Sequence, residues 1–84
     1  YKLAEWETIL FPNPVNDFLQ IEVNDCKNQE IKFSIINPQG KVMMQEIKSH
    51  SELYSFDLKN LKSGNYFIII EQQEKIKLLK FLKG

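Results

Sequence analysis

Glu30-Ile31-Lys32-Phe33-Ser34-Ile35-Ile36-Asn37-Pro38-Gln39-Gly40-Lys41-Val42-Met43-Met44-Gln45-Glu46-Ile47 reads as two strands and the turn that joins them. Ile31, Phe33 and Ile35 alternate with Lys32 and Ser34, the two-residue period of a strand with one dry and one wet face. Asn37-Pro38-Gln39-Gly40 is a four-residue turn: proline fixes the φ that the second position wants, and glycine takes positive φ freely. The return strand runs from Lys41 to Ile47, with Val42 and Met44 expected inward and Met43 and Gln45 outward. A hairpin that is apolar on one side needs a second layer to cover it.

The same period recurs on both sides of the hairpin. Leu19, Ile21 and Val23 alternate with Gln20 and Glu22. From Leu53 to Leu58, Tyr54, Phe56 and Leu58 share one side while Ser55 and Asp57 take the other. After the turn Leu61-Lys62-Ser63-Gly64-Asn65, Tyr66, Ile68 and Ile70 form one face and Phe67 and Ile69 the other, so this strand is expected in the middle of a sheet. Thr8 to Phe11 makes a first strand and Lys75 to Gly84 a last one, whose alternation breaks at Leu78-Leu79 and predicts a bulge or a change of face. Strands recurring at about 8 to 14 residues between turn signals predict an all-β fold, a small antiparallel immunoglobulin-like β-sandwich of about seven strands.

Eighty-four residues hold one core, placed here in residues 8–84, with residues 1–7 as the remnant of an upstream linker. The chain starts at Tyr1 and not at Met, as expected of a processed product or a piece of something longer. Formal charge is zero, and every basic residue is Lys, so the basic footprint and guanidinium contacts of nucleic-acid binding are missing. No apolar run approaches the roughly 18 residues of a membrane span, and direct membrane insertion is not expected. Cys26 and His50 are the only residues of their kinds, too few for a zinc set or a thiol–imidazole pair with an orienting partner. The sequence therefore predicts no catalytic residue, no metal site and no cofactor.

Charge is nonetheless split along the chain. Acidic residues dominate the first thirty positions, whereas Lys75, Lys77, Lys80 and Lys83 follow one another at the end with no acid between them.

Four blocks, taken in order, carry a family resemblance. They are Ile9-Leu10-Phe11-Pro12-Asn13-Pro14-Val15-Asn16-Asp17-Phe18-Leu19-Gln20-Ile21, the turn at Gly40-Lys41, the motif Leu61-x-x-Gly64-x-Tyr66, and the lysine-bearing end from Lys75 to Gly84. Together they resemble the C-terminal sorting domain, type A form, of proteins exported by the bacterial type IX secretion system. Pro38-Gln39 stands where that family often has Asp or Asn before the glycine, which keeps the turn. The resemblance implies a sorting signal and not an enzyme, with Pro12, Asn13, Pro14, Gly40, Lys41, Leu61, Gly64 and Tyr66 as the sorting motif. It further implies fusion to an upstream cargo, transit through the periplasm, passage through the outer-membrane type IX translocon, and removal by a surface sortase that leaves the cargo secreted or at the cell surface.

Read as residues alone, each motif also has a structural role. Each proline ends a strand by removing a ladder donor, and Gly-x-Tyr places an aromatic in the core whose hydroxyl needs one partner. Lys75, Lys77, Lys80, Phe81 and Lys83 are the candidates for translocon recognition, by strand addition at an exposed sheet edge. The same lysines would also blunt that edge against aggregation. Deleting Lys80 to Gly84 is expected, from sequence, to abolish export and leave the fold intact. The alternative function is a carbohydrate-binding or adhesive module, with Trp6, Tyr54 and Phe67 as possible members of an exposed aromatic row.

Overall fold

Alternating apolar residues separated by turn residues become seven strands in a computed structural model that describes residues 8–12, 14–23, 30–49, 53–73 and 75–84. The strands are β1 (Thr8–Phe11), β2 (Phe18–Val23), β3 (Ile31–Ile36), β4 (Val42–Lys48), β5 (Leu53–Asp57), β6 (Gly64–Gln72) and β7 (Lys75–Lys83). They form two sheets, one of three strands in the order β1-β2-β5 and one of four in the order β4-β3-β6-β7, with every neighbouring pair antiparallel. The expected all-β antiparallel sandwich is present. Assigned to the linker, residues 1–7 lie outside the described residues, as do Trp6, Asn13, Cys26 and His50.

The inward rows fill the space between the sheets. Leu19, Ile21, Val23, Tyr54, Phe56 and Leu58 from one side meet Ile31, Phe33, Ile35, Tyr66, Ile68, Ile70 and Phe81 from the other, all buried. Phe33 is the link between layers, with its ring centroid 5.0 Å from those of both Tyr54 and Phe56 in tilted contact. Tyr54 is therefore a core residue and not part of an exposed aromatic row, while Phe67 lies half-buried on the outside of the four-stranded sheet.

Both open sides of the sandwich are bridged. Along the β4 and β5 side, the Lys48 ammonium donates to the Ser55 carbonyl at 3.2 Å and sits 4.7 Å above the Phe56 ring. Along the β1 and β7 side, Val15 is fully buried and makes a parallel bridge to Lys83.

As expected, β6 lies between β3 and β7, which explains why both of its faces are apolar. Three local expectations fail. Val42 is 51% exposed because the register shifts between Ile35 and Ile36: Ile35 pairs with Met44 and Ile36 with Val42, so Met43 is the extra residue and Val42 joins the outer face. Ser34 points outward yet is buried, flanked by Ile69 and by Gln45, whose amide donates to its hydroxyl at 3.1 Å. Leu78-Leu79 marks no bulge, since β6 and β7 pair in unbroken register from Gly64 opposite Lys83 to Gln72 opposite Lys75. The two leucines simply face opposite ways, Leu79 toward the core and Leu78 outward.

Candidate functional site at the motif-bearing end

Strand directions bring the sequence blocks to one end of the molecule. There β2 starts opposite the end of β5, with Phe18 paired to Asp57, and β6 starts opposite the end of β7, with Gly64 paired to Lys83. The turn joining β3 to β4 closes the same end, since Ile36 pairs with both Val42 and Phe67. The Asp17 carbonyl accepts from the Leu58 N–H at 2.7 Å and continues the β2–β5 pairing there, while Val15 ties the two sheets together. Pro12, Pro14, Gly40, Lys41, Leu61, Gly64 and Tyr66 thus lie at the same end of the sandwich as the last residues of β7, with Pro14, Gly64 and Tyr66 beside them. Asn13, the remaining motif residue, lies outside the described residues. The chain enters β1 at Thr8, opposite Val23, at the far end of the sandwich.

Each block has a local physical reason. In the first, proline at positions 12 and 14 stops β1 from continuing, and the chain crosses from one sheet to the edge of the other. Val15 then donates its N–H to the Leu82 carbonyl at 2.7 Å and accepts from the Gly84 N–H at 2.6 Å. An ideal Cβ on Gly84 would stand 3.0 Å from the Asn16 side-chain oxygen and 4.0 Å from Pro14 Cβ, so the last residue is packed against the first motif. The clasp was not visible in the sequence, where Val15 belongs to a polar step. Its one signal is a lone aliphatic residue between Pro14 and Asn16.

In the second block Gly40 donates to the Asn37 carbonyl at 2.9 Å and takes φ +88°, a left-handed conformation that glycine adopts without a steric penalty. The Asn37 side-chain oxygen accepts from the Gln39 and Lys41 N–H groups at 3.0 and 2.9 Å, which locks the turn. The Lys41 side chain stays exposed.

In the third block the buried Tyr66 reaches back across the corner between β5 and β6, and its hydroxyl donates to the Lys62 carbonyl at 2.7 Å. This is the tyrosine-corner arrangement of sandwich domains. Leu61 packs partly buried against the core, and its N–H donates to the Leu58 carbonyl at 3.0 Å. Tyr66→Phe is expected to lower stability by about 1 kcal/mol, because the Lys62 carbonyl loses its partner in a part-buried site; urea melting of the two chains checks this. Gly64 has φ +149° with open space where a Cβ would go. Gly64→Val should therefore cost about 1 to 3 kcal/mol through backbone strain alone, and a melting temperature equal to that of the parent would show the strain is not there.

Around these turns lies a cleft of about 470 Å³, lined by Asn37, Gln39, Met43, Asn60, Lys62 and Asn65 among others. Its walls carry side-chain amides, the Lys62 ammonium, and Ser63 and Tyr66.

The recognition candidates on β7 divide by burial. Phe81 is 1% exposed and stacks on Tyr66 with ring centroids 5.8 Å apart, so in the folded domain it is core. Lys83 is buried, its ammonium 3.2 Å from the Gly84 carbonyl. Lys80 is exposed on the outer face, and Lys75 and Lys77 are half-buried along the edge strand. Of these five candidates, Lys80 is the exposed one.

A comparison of the chain with curated protein sequences gives no match. A family model does match: the one described as Secretion system C-terminal sorting domain covers residues 9–83, the span from β1 through the end of β7. With all four sequence blocks assembled at one end of a seven-stranded sandwich and the match running through nearly the whole chain, the protein belongs to the C-terminal sorting domain family of type IX secretion.

Proposed function

We infer that this chain, as a member of the sorting-domain family, acts as a C-terminal type IX sorting signal that is fused to cargo and engages the secretion machinery. We propose that the domain, residues 8–84, carries its cargo from the periplasm to the outer-membrane translocon as a folded body and is then removed by a surface sortase. The observation that carries this reading is geometric: the chain enters at Thr8, and the sorting blocks converge at the opposite end. A cargo joined upstream leaves that end open to a receptor, and cleavage before β1 would release the cargo without cutting into either sheet. The strand orders β1-β2-β5 and β4-β3-β6-β7, together with the corner tyrosine, support an immunoglobulin-like reading of the sandwich.

The receptor contact lies along β7. As an edge strand it alternates its backbone groups between β6 and the outside, and the Leu82 carbonyl and Gly84 N–H that Val15 takes are on the outer side. By the same alternation Ile76, Leu78 and Lys80 offer their backbone groups outward, where they meet no partner among the described residues. An added strand would pair there, with Lys75, Lys77 and Lys80 supplying charge. The same lysines would blunt the edge between encounters.

Replacing Lys75, Lys77 and Lys80 by Gln is expected to weaken capture by a translocon component, strongly at low salt and little at high salt. Equal binding at low salt would leave those lysines a solubilising role only. The removal step is tested by following a fusion of a folded reporter to residues 1–84 in a type IX-competent bacterium. Mass spectrometry of the extracellular reporter should find it without residues 8–84; an exported reporter that retains β1 to β7 would contradict sortase removal.

A further inference from the structure

The two strand orders leave β1 and β5 at the edges of one sheet and β4 and β7 at the edges of the other. An edge strand offers its unpaired backbone groups to any strand that reaches them. On β5 the phase of those groups is fixed at the motif-bearing end, where the Leu58 N–H donates to the Asp17 carbonyl on the β2 side. Counting back by alternation, Tyr54 and Phe56 bond toward β2, and Ser55 turns its N–H and carbonyl to the open edge.

A side chain from the other sheet already holds that acceptor. The Lys48 ammonium donates to the Ser55 carbonyl at 3.2 Å, stands 4.7 Å above the Phe56 ring and has the Glu46 carboxylate at 3.9 Å. Glu46 and Lys48 pair opposite Phe33 and Ile31, both buried, so two charges of the edge strand β4 point to the core side. Inward-pointing charge is one of the ways in which an edge is kept from pairing. A strand added to β5 would have to lift the ammonium off both its acceptor and the ring, and would bring its own backbone over Glu46.

Charge singles out the strand that is being kept away. β7 offers the backbone groups of Ile76, Leu78 and Lys80 outward and carries Lys75, Lys77 and Lys80, while Asp57 and Glu46 flank the β5 edge. Pairing of β7 from one copy with β5 of the next joins two different edges, so it runs head to tail and repeats without closing. We propose that Lys48 guards the β5 edge and thereby holds the chain back from this pairing with a second copy. The ammonium acts twice: it occupies the acceptor that the incoming strand needs, and it sets a like charge against the lysines of β7. The guard does not depend on the sorting reading, and it leaves β7 free for the docking proposed above.

Analytical ultracentrifugation of residues 1–84 tests the guard. Lys48→Met keeps an unbranched side chain over Phe56 and removes the ammonium; it is expected to self-associate, without a fixed end size, at a concentration at least about tenfold below that at which the unsubstituted chain does. Lys48→Arg, which keeps the charge and a donor, should behave as the unsubstituted chain. Leu78→Pro added to Lys48→Met removes an outward N–H of β7 and leaves the bonds to β6 in place, so it should return the chain to monomer. A folded Lys48→Met chain that sediments as the unsubstituted one does, or association that Leu78→Pro does not relieve, would overturn the proposal. Should Lys48→Met lose its cooperative melting, Lys48→Gln takes its place with the same outcomes.

Discussion

Deleting Lys80 to Gly84 is expected to unfold the domain and not merely to silence it. The deletion removes Phe81, which is 1% exposed and stacked on Tyr66, and loss of a buried phenylalanine side chain costs about 3 to 5 kcal/mol. It also removes Leu82 and Gly84, the two partners of Val15, so the segment that bridges β1 to β7 loses both backbone hydrogen bonds. A small domain has only about 5 to 15 kcal/mol of stability in total. The truncated chain should therefore lose its cooperative thermal transition in circular dichroism as well as its export. A folded truncated chain would show that the clasp and Phe81 contribute little. The structure argues against the sequence-based expectation that this deletion separates recognition from folding: Phe81 belongs to the core, Lys83 is buried, and Leu82 and Gly84 hold Val15. Variants that keep Phe81 and change Lys75, Lys77 and Lys80 are the ones that make the separation.

The second large effect is Phe33→Ala, expected to cost about 3 to 5 kcal/mol. Phe33 sits at the centre of β3, paired with both β4 and β6, and holds Tyr54 and Phe56 of the opposite sheet at 5.0 Å each. Its removal leaves a cavity between the layers and ends two aromatic contacts, each worth about 0.5 to 1.5 kcal/mol beyond burial. Chemical denaturation should show the midpoint fall with the slope nearly unchanged. A shift below about 1 kcal/mol would mean that the sheets are not joined through this ring.

Most of the fold could be read in the chain because period-two alternation is local. β2 and β5 each show one apolar row, and their buried residues are the ones that the alternation picks out. β6 was identified as central from Phe67 and Ile69, apolar residues on the face that a peripheral strand leaves wet. The failures share one cause, that a single strand does not report its neighbours. Met43 becomes the extra residue of a bulge only because Ile36 pairs with Val42, and nothing in Val42-Met43-Met44 announces it. Leu78-Leu79 imitates a bulge because the outer face of β7 is itself apolar. Ser34 is buried by Gln45 and Ile69, which lie eleven and thirty-five positions away.

The site was legible as a set of motifs but not as a place. Gly40, Gly64 and Tyr66 could each be given a turn or core role from residue type alone, and the structure gives them those roles. Their convergence with Pro12, Pro14 and the end of β7 depends on strand order and on Val15, a residue that no motif emphasised. Lys83 illustrates the same limit. By composition it is one more cation of the terminal run, yet the clasp makes it one of the buried ones. On the proposed reading, a receptor would meet the assembled end and β7 more than the bare sequence of the last ten residues.

The central claim is that residues 1–84 suffice as a type IX sorting signal. The most direct measurement places them behind a periplasmic export signal and a folded reporter, and compares the medium and cell surface of a translocon-competent strain with those of a translocon-null strain. The account predicts reporter outside the competent cells and only in the periplasm of the null strain. Reporter held in the periplasm of both strains would contradict it.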